Sequence, residues 1–505
     1  MQFPRRFQFA IPYLLGAFAV LAFAPFYIFP AAILALVGII YLWIKATSAK
    51  QAFTLGFQFG LGLYVVGIYW IYISLHDFGG MPWWFAGFST FCLCAFMALF
   101  VGLVGYLSKR FGTIIISAPV LWGLSDWVRS WIFTGFPWLT LGYSQVPHSP
   151  LAGYMPIFGV YGVSVITALV SAIIAYWLTH KNASAIFKRN LIISFILILV
   201  TGNLLKAIEW TKQIGAPISV ALIQGNIAQA TKWSADTAQN TINTYIQLAT
   251  QSKAQLIVLP ETALPVTSDR LDASITDALS NHAKQNNGNI IVGLVEVKED
   301  ANAKTEEYFN SAFSFGSEPT QSYAKNHLVP FGEFIPLKQV FGWIYRDWLN
   351  MPLSDLSRGG AEQKPMQLGN QKVAVNVCYE DVFGEEIIHQ LPEATLLVNI
   401  SNDAWYGKSY AANQHMQFSQ ARALETGRMM LRATNTGATA AINTHGYVMA
   451  HAPHDAQTTL NLHAKGYAGS TPYVRWGNWP FIVLCFAALA AIAWIKLSRK
   501  TSFVR

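Results

Sequence analysis

The sequence VAVNVCYEDVF, residues 373–383, changes character at its midpoint. Val373–Val377 is a largely apolar run of the kind that forms a strand buried inside a sheet. Cys378 follows at once, and a polar turn comes directly after it. A strand that runs straight into such a turn builds a nucleophile elbow, in which the next backbone N–H faces a developing oxyanion. The stretch therefore predicts a sheet domain with chemistry at a strand end.

Other runs of strand length surround this stretch between residues 208 and 477. Each is bounded by Pro, Gly, Asn or polar residues, and helical patterns at Thr237–Ser252 and Ala273–Gln285 lie among them. Near-continuous apolar strands indicate sheets that are covered on both faces, so we predict an α/β domain. Its further strands are Ile218–Ile223, Leu256–Leu259, Ile290–Val295 and Thr395–Ile400.

Two charged side chains lie where they could act on Cys378. Glu261 comes just past the run Leu256–Leu259, and Lys325 lies in a polar and aromatic run, residues 322–333. A glutamate can take the proton of a thiol, while a lysine lowers the pKa of a nearby thiol and stabilises an oxyanion. Taken singly, each residue has an ordinary alternative: Glu261 as a helix cap, Lys325 as a solvated side chain and Cys378 as an inert core cysteine.

The rest of the chain is strongly apolar. Hydrophobic residues make up 53% of the 505 residues and charged residues only 12%, where about 25% is usual for a soluble domain. Of the 26 Asp and Glu residues, 24 lie between residues 208 and 477, beside 19 Lys and Arg residues. The net charge of +8 is therefore the sum of a mildly acidic domain and basic loops, and we predict no nucleic-acid partner.

Eight apolar runs approach the length of about 20 residues that a membrane-spanning helix needs. If all eight span, thirteen Lys and Arg residues of the short loops and termini fall on one side. This asymmetry predicts two cytoplasmic termini and a periplasmic insert in a bacterial inner membrane. The predicted domains are 1–207 with seven spans, 208–477 as the catalytic domain, and 478–505 with the eighth helix and a cytoplasmic tail. The predicted spans are 8–26, 28–44, 53–75, 83–108, 113–133, 156–179, 190–206 and 479–495.

Taken together, the motifs around Glu261, Lys325 and Asn376-x-Cys378-Tyr379-Glu380 resemble those of the nitrilase, or carbon–nitrogen hydrolase, superfamily. With eight predicted spans around them, they are similar over nearly the whole chain to the bacterial apolipoprotein N-acyltransferase family. Further matching motifs include Gln224-Gly225-Asn226, Asn310-Ser311, Gln414-His415 and Arg432-Ala433-Thr434-Asn435. The resemblance implies a polytopic α-helical membrane domain joined to a nitrilase-like αββα sandwich.

The resemblance also implies roles for individual residues. Glu261 would be the general base, Cys378 the nucleophile and Lys325 the stabiliser of the oxyanion. The implied supporting residues are Glu333, Tyr379 and Glu380. Because the base is thereby assigned to Glu261, we expect His327 and His415 to be structural.

The implied reaction moves an acyl chain from a phospholipid of the phosphatidylethanolamine type, through a cysteine thioester, to the N-terminal amine of a diacylglyceryl-cysteine apolipoprotein. This would be the last step of lipoprotein maturation, with inner-membrane lipid as the surroundings and no cofactor. Neither a CxxC nor an HExxH motif occurs, so we expect no metal either, and we expect a monomer. The alternative is a membrane-anchored nitrilase-type amidase or hydrolase, in which water takes the acyl group.

Both implied substrates carry lipid tails whose exposure to water costs about 0.8 kcal/mol per CH₂ group. An aromatic stretch between Pro336 and Gly359 therefore predicts a substrate-binding arm or lid that dips into the membrane, with core packing as the alternative. The candidates for this surface are Trp233, Trp343, Tyr345, Trp348, Leu349 and Met351. In the membrane region, Asp126 and Arg129 are three residues apart, which predicts an ion pair on one helical face, with two side chains that snorkel toward the membrane surface as the alternative.

Overall fold

The computed structural model describes residues 5–229, 232, 234–300, 305–337, 339 and 355–502. All six candidates for the lid surface lie outside these residues: Trp233, Trp343, Tyr345, Trp348, Leu349 and Met351. The described chain forms two compact units. The first combines the chain up to Tyr69 with Gly87–Glu209 and the chain from Arg475 onward, and the second combines Trp70–Ala86 with Trp210–Val474.

The first unit is built from apolar helices. Among the described residues, four helices are long and apolar enough to cross a membrane, or five if Ala49–Gly67 and the bent segment after it count as one span. Two further apolar helices, Phe9–Ala22 and Pro30–Lys45, are shorter, so length and composition support fewer spans than the predicted eight. The long helices of this unit are α1 (Arg5–Ala19), α2 (Pro30–Lys45), α3 (Ala49–Gly67), α5 (Trp83–Phe111), α6 (Ile114–Arg129), α7 (Met155–Thr179), α8 (Ala185–Lys206) and α14 (Trp479–Ser502).

A buried ion pair organises the irregular chain that follows α6. Arg129 Nη2 lies 2.5 Å from Asp126 Oδ1, which confirms the pairing that the spacing predicts. Arg129 Nη1 also donates to the carbonyl oxygen of Trp138 at 3.1 Å, and the backbone N–H of Leu141 donates to Asp126 Oδ2 at 3.0 Å. The pair therefore satisfies backbone groups of the irregular segment between α6 and α7, which lies in an apolar part of the chain.

The second unit contains two six-stranded sheets. The first has the order β12-β1-β2-β3-β4-β5 and the second the order β11-β10-β9-β8-β7-β6. In each sheet the three central strands are parallel and the outer pairs are antiparallel. The strands are β1 (Thr211–Gln224), β2 (Leu256–Val258), β3 (Asn289–Asp300), β4 (Thr305–Gly316), β5 (Gln321–Ala324), β6 (Met366–Leu368), β7 (Gln371–Val377), β8 (Leu396–Ser401), β9 (Met430–Thr434), β10 (Ala440–Ile442), β11 (Val448–His451) and β12 (Thr458–Gly469).

The two sheets face each other across one apolar core. Val220 of β1 and Val258 of β2 pack in the same cluster as Val375 of β7 and Val398 of β8. A second core lies between the first sheet and two helices, and a third lies on the outer face of the second sheet. The layers therefore follow the order helix, sheet, sheet, helix. The helices of this unit are α4 (Ile71–Ile73), α9 (Ala235–Gln251), α10 (Ala273–Gln285), α11 (Gly384–Ile387) and α12 (Ala411–Thr426), and the short helix α13 (Pro472–Trp476) spans the boundary with the first unit at Val474.

Trp70–Ala86 packs within the second unit, although it comes from the middle of the apolar part of the sequence. The Trp70 indole N–H donates to Gln414 Oε1 at 3.1 Å, and its ring contacts the Tyr406 ring edge-on at 4.8 Å. Phe78 contacts Trp405 in a similar way at 6.2 Å. The predicted span 53–75 is therefore not one straight helix: α3 stops at Gly67, and the bent segment after it, which begins at Trp70, packs on protein.

Candidate active site

Cys378 lies directly after β7, where its backbone takes the left-handed conformation with φ of 53°. This conformation costs a residue with a side chain on the order of 1–3 kcal/mol and persists only where the surroundings impose it. Here the Cys378 carbonyl oxygen accepts from Asn399 Nδ2 at 3.1 Å and from His415 Nε2 at 3.0 Å. The geometry is that of the nucleophile elbow that the sequence predicts.

Glu261 lies in the turn that follows β2, three residues after the last residue of the strand, Val258. Its carboxylate is held in place at both oxygens: Oε1 accepts from Asn310 Nδ2 at 2.7 Å and Oε2 from the backbone N–H of Asn402 at 2.9 Å. The neighbouring strand β3 carries a glycine at this level, and a Cβ on Gly293 would lie 2.5 Å from the carbonyl oxygen of Pro260. Only glycine therefore lets the turn that carries Glu261 approach β3 so closely.

Lys325 follows β5 and is fully buried. Its Nζ lies 2.8 Å from Glu333 Oε2 and 3.8 Å from Glu261 Oε1, so the ammonium group sits between two carboxylates. Asn310 Nδ2 donates to both of these carboxylates, at 2.7 Å each. The structure thus brings Glu261, Lys325 and Glu333 into one connected group.

The charges around Cys378 set its resting state. Burial, together with the nearby charge of Glu261, raises the pKa of the Cys378 thiol well above its ordinary value, and Lys325 only partly opposes this increase. Burial alone would lower the pKa of Lys325, but the carboxylates of Glu333 and Glu261 outweigh it and raise that pKa. The site therefore rests with a neutral thiol beside a permanent cation, and the thiol needs a base before it can attack.

Glu380 forms hydrogen bonds both to the chain around Lys325 and to the strand that precedes Cys378. Its Oε1 accepts from the backbone N–H of Asn326 at 2.7 Å and from the Tyr323 hydroxyl at 3.0 Å, while Oε2 accepts from the backbone N–H of Val377 at 2.7 Å. Burial raises the pKa of this carboxyl group to about 7, against the opposing effect of its hydrogen bonds. Glu380 is therefore buried beneath the site and holds its two sides together.

Tyr379 is also buried, next to Cys378. Its ring packs edge-on against Phe383 at 5.1 Å and lies 5.8 Å from the His327 ring. His327 stacks on Phe383 at 3.6 Å, and its Nδ1 lies 2.6 Å from Glu386 Oε1. Tyr379 is thus fixed by an aromatic cluster on the outer side of the elbow.

Three contributors to the site had no role in the sequence analysis. Asn310 and Asn402 position the Glu261 carboxylate, and Lys232 Nζ donates to Thr262 Oγ1 at 2.7 Å and lies 3.3 Å from the Glu261 carbonyl oxygen. Burial lowers the pKa of Lys232 to about 8. Asn310 does lie in a matching motif, but nothing in its spacing indicated which group it would contact.

Two protein families match consecutive parts of the chain. Residues 15–173 match the apolipoprotein N-acyltransferase N-terminal domain, and residues 219–473 match the carbon–nitrogen hydrolase family. Curated relatives match nearly end to end. The chain is 46% identical to the apolipoprotein N-acyltransferase of Nitrosomonas europaea over 94% of both proteins. It is 42% identical to that of Chromobacterium violaceum over 94% of this chain and 91% of the relative.

Proposed function

The chain belongs to the apolipoprotein N-acyltransferase family, and on this basis we propose that it N-acylates lipoproteins. The acyl donor is a phospholipid of the phosphatidylethanolamine type, and the acceptor is the N-terminal amine of a diacylglyceryl-cysteine lipoprotein. The acyl chain passes through a thioester on Cys378. The observation that supports the proposal is geometric: the buried Cys378 takes a strained backbone conformation directly after β7, and Lys325 Nζ lies 3.8 Å from Glu261 Oε1.

In the first half of the reaction, the Glu261 carboxylate takes the Cys378 thiol proton and the sulfur attacks the ester carbonyl of the phospholipid. Negative charge then develops on the carbonyl oxygen, and the Lys325 ammonium group stabilises it. When the C–O bond breaks, the proton on Glu261 passes to the departing oxygen. Lysophospholipid leaves, and the acyl chain stays on sulfur as a thioester.

In the second half, the free amine of the lipoprotein attacks the thioester carbonyl. Glu261 takes a proton from the attacking nitrogen, Lys325 again stabilises the oxyanion, and the C–S bond breaks. The thiolate regains its proton from Glu261, which returns the site to its resting state. Glu333 and Asn310 keep both active groups in place throughout, through their bonds to Lys325 and Glu261.

The proposal also includes the membrane topology of the chain, its oligomeric state and its contact with lipid. We propose eight spans with domain limits 1–207, 208–477 and 478–505, two cytoplasmic termini and a periplasmic catalytic domain in the inner membrane. The basic residues in the short loops support this orientation. We further propose that the enzyme acts as a monomer and that the aromatic stretch between Pro336 and Gly359 serves as the lipid-contacting arm.

The test is the intact mass of the full-length protein after incubation with phosphatidylethanolamine. We expect a gain of one acyl chain that is absent in Cys378→Ala and present in Cys94→Ala, since Cys94 is a buried free cysteine of the first unit. A diacylglyceryl-cysteine peptide should then discharge the adduct. Discharge by water but not by the peptide would favour the hydrolase, and no adduct in folded protein would contradict the proposal.

A further inference from the structure

A group of buried charges lies behind the elbow, and the mechanism above does not use it. Arg432 Nη1 lies 3.0 Å from Asp381 Oδ2, and Arg432 Nη2 lies 3.0 Å from Asp403 Oδ2. His415, from α12, lies between the same two carboxylates. All four side chains are buried, so they act on the site only through what they touch.

His415 is the member of this group that reaches the nucleophile. Its Nε2 lies 3.0 Å from the Cys378 carbonyl oxygen and 2.9 Å from Asp381 Oδ1. Both of these neighbours are hydrogen-bond acceptors, so Nε2 carries a hydrogen whether the ring is neutral or cationic. Its Nδ1 lies 2.8 Å from Asp403 Oδ1 and 2.7 Å from Arg432 Nη2, which fixes the ring from the opposite side.

The contact matters because of the conformation of Cys378. A left-handed residue with a side chain persists only where the surrounding structure holds it. Before Cys378, Glu380 Oε2 accepts at 2.7 Å from the backbone N–H of Val377, which belongs to the peptide group one further toward the N-terminus. On the C-terminal side, the Cys378 carbonyl oxygen has two donors, Asn399 Nδ2 and His415 Nε2.

We propose that His415 is a positioning residue for the acyl transfer, whose Nε2–H holds the Cys378 carbonyl and thereby fixes the direction of the sulfur. Asp403, Asp381 and Arg432 set the orientation of the imidazole ring and have no direct part in the chemistry. This inference rests on the proposed function, because it takes Cys378 as the nucleophile. It departs from the prediction that His415 is merely structural.

The test uses two amide variants of the full-length protein. The side-chain nitrogen of Gln reaches the position of Nε2, whereas that of Asn reaches the position of Nδ1. His415→Gln therefore keeps the donor to Cys378, and His415→Asn keeps only the contact with Asp403. The measured quantity is the rate of acyl-enzyme formation at saturating phosphatidylethanolamine, from intact mass, together with the melting temperature.

We expect His415→Asn to slow acylation by about 10²-fold, which is the effect of a misplacement of about 1 Å at a reacting atom. His415→Gln should stay within about threefold of the wild type, with the half-saturating donor concentration unchanged in both, since neither residue contacts the lipid. His282 supplies a matched control: its Nε2 lies 2.7 Å from the carbonyl oxygen of Ser252, and His282→Asn should acylate normally.

Equal rates in the two His415 variants, or a faster Asn variant, would overturn the proposal. If the Asn variant does not fold, the Gln variant decides alone, and a 10²-fold loss at an unchanged melting temperature contradicts the inference. If the wild type itself gains no acyl mass, the proposed function has failed instead. In that case the rate of Cys378 alkylation by iodoacetamide replaces acylation as the measurement, with the same expected order of variants.

Discussion

Buried charges occur in both units of this protein, but they are arranged differently. In the membrane-type unit, the side chains of Arg129 and Asp126 are 2% and 4% exposed, and each also bonds to the backbone of the following segment. In the catalytic unit, the Lys325 side chain is 1% exposed, whereas those of Glu261 and Glu333 are 10% and 13% exposed. One arrangement is almost completely buried, whereas the carboxylates of the other are slightly accessible to solvent.

The difference follows from what each group must do. A pair that only satisfies irregular backbone gains nothing from contact with solvent or substrate. In the proposed mechanism, the general base must exchange protons with the molecules that react, while the cation that stabilises the oxyanion works best where solvent does not screen it. The exposure of each carboxylate thus separates a structural ion pair from a reactive one, and substitutions in both units test that distinction.

The largest effect should come from Lys325→Met. The change removes a cation from between Glu261 and Glu333, so we expect acyl-enzyme formation to fall by about 10²–10³-fold or more. The free energy of unfolding should also fall by about 3–5 kcal/mol, because two largely buried carboxylates lose their partner. Acylation is followed by intact mass and stability by thermal unfolding.

Lys298→Met provides the comparison for that variant. Lys298 Nζ lies 3.2 Å from Glu296 Oε1, but its side chain is half exposed, so the change should cost less than about 1 kcal/mol. Near-normal acylation by Lys325→Met would show that the buried cation is structural, as Arg129 is, and would remove the contrast between the two units.

The next effect should come from Arg129→Leu, which leaves Asp126 without its partner. We expect a loss of about 3–5 kcal/mol in the free energy of unfolding, while the protein that remains folded acylates Cys378 at the normal rate. The double variant Asp126→Leu/Arg129→Leu should recover part of the stability, since no unpaired charge is left. A double variant as unstable as the single one would mean that the bonds to Trp138 and Leu141 matter more than the charges.

The smallest effect concerns pH and Glu380. Its carboxyl group binds a proton more tightly in the folded protein, with a pKa of about 7 against an ordinary 4.5. The resulting stabilisation is fully present below pH 4.5 and is lost as the pH rises through 7, at no more than about 1.4 kcal/mol per pH unit. Glu380→Gln should reduce the change in melting temperature between pH 5 and pH 7, whereas Glu393→Gln, at an exposed position, should leave that change as it is in the wild type. If the melting temperatures of Glu380→Gln and the wild type changed with pH in parallel, the stabilising role of the Glu380 proton would be contradicted.

The sequence predicted strands best where the apolar run is unbroken. Val373–Val377 and Leu256–Leu259 are confirmed to within one or two residues, and the helix at Ala273–Gln285 is confirmed at both ends. Strand β5 was not predicted, because Gln321 and Ser322 are polar and only pairing with β4 makes them a strand. Patterns within a segment cannot indicate which partner it will find.

The candidate site shows the same limit. The residue types of Glu261, Lys325 and Cys378 drew attention to them, because each carries recognisable chemistry at the end of a strand. Asn310 lies in the middle of β4 and contacts two of the carboxylates only because of the strand register, which its neighbours in the sequence do not reveal. Trp70 was predicted to lie in a membrane span for a related reason: an apolar side chain looks the same whether lipid or protein will cover it.

The packing of Trp70–Ala86 within the catalytic unit has a consequence for how the protein is made. Trp70 leaves the ribosome 344 residues before its partner Gln414, which corresponds to about 20–70 s of synthesis at 5–20 residues per second. During that interval, the Trp70 indole has no Tyr406 ring to contact. A catalytic fragment that begins at Trp210 would lack this segment entirely, so its Tyr406 and Gln414 would require Trp70–Ala86 to be supplied as a separate chain.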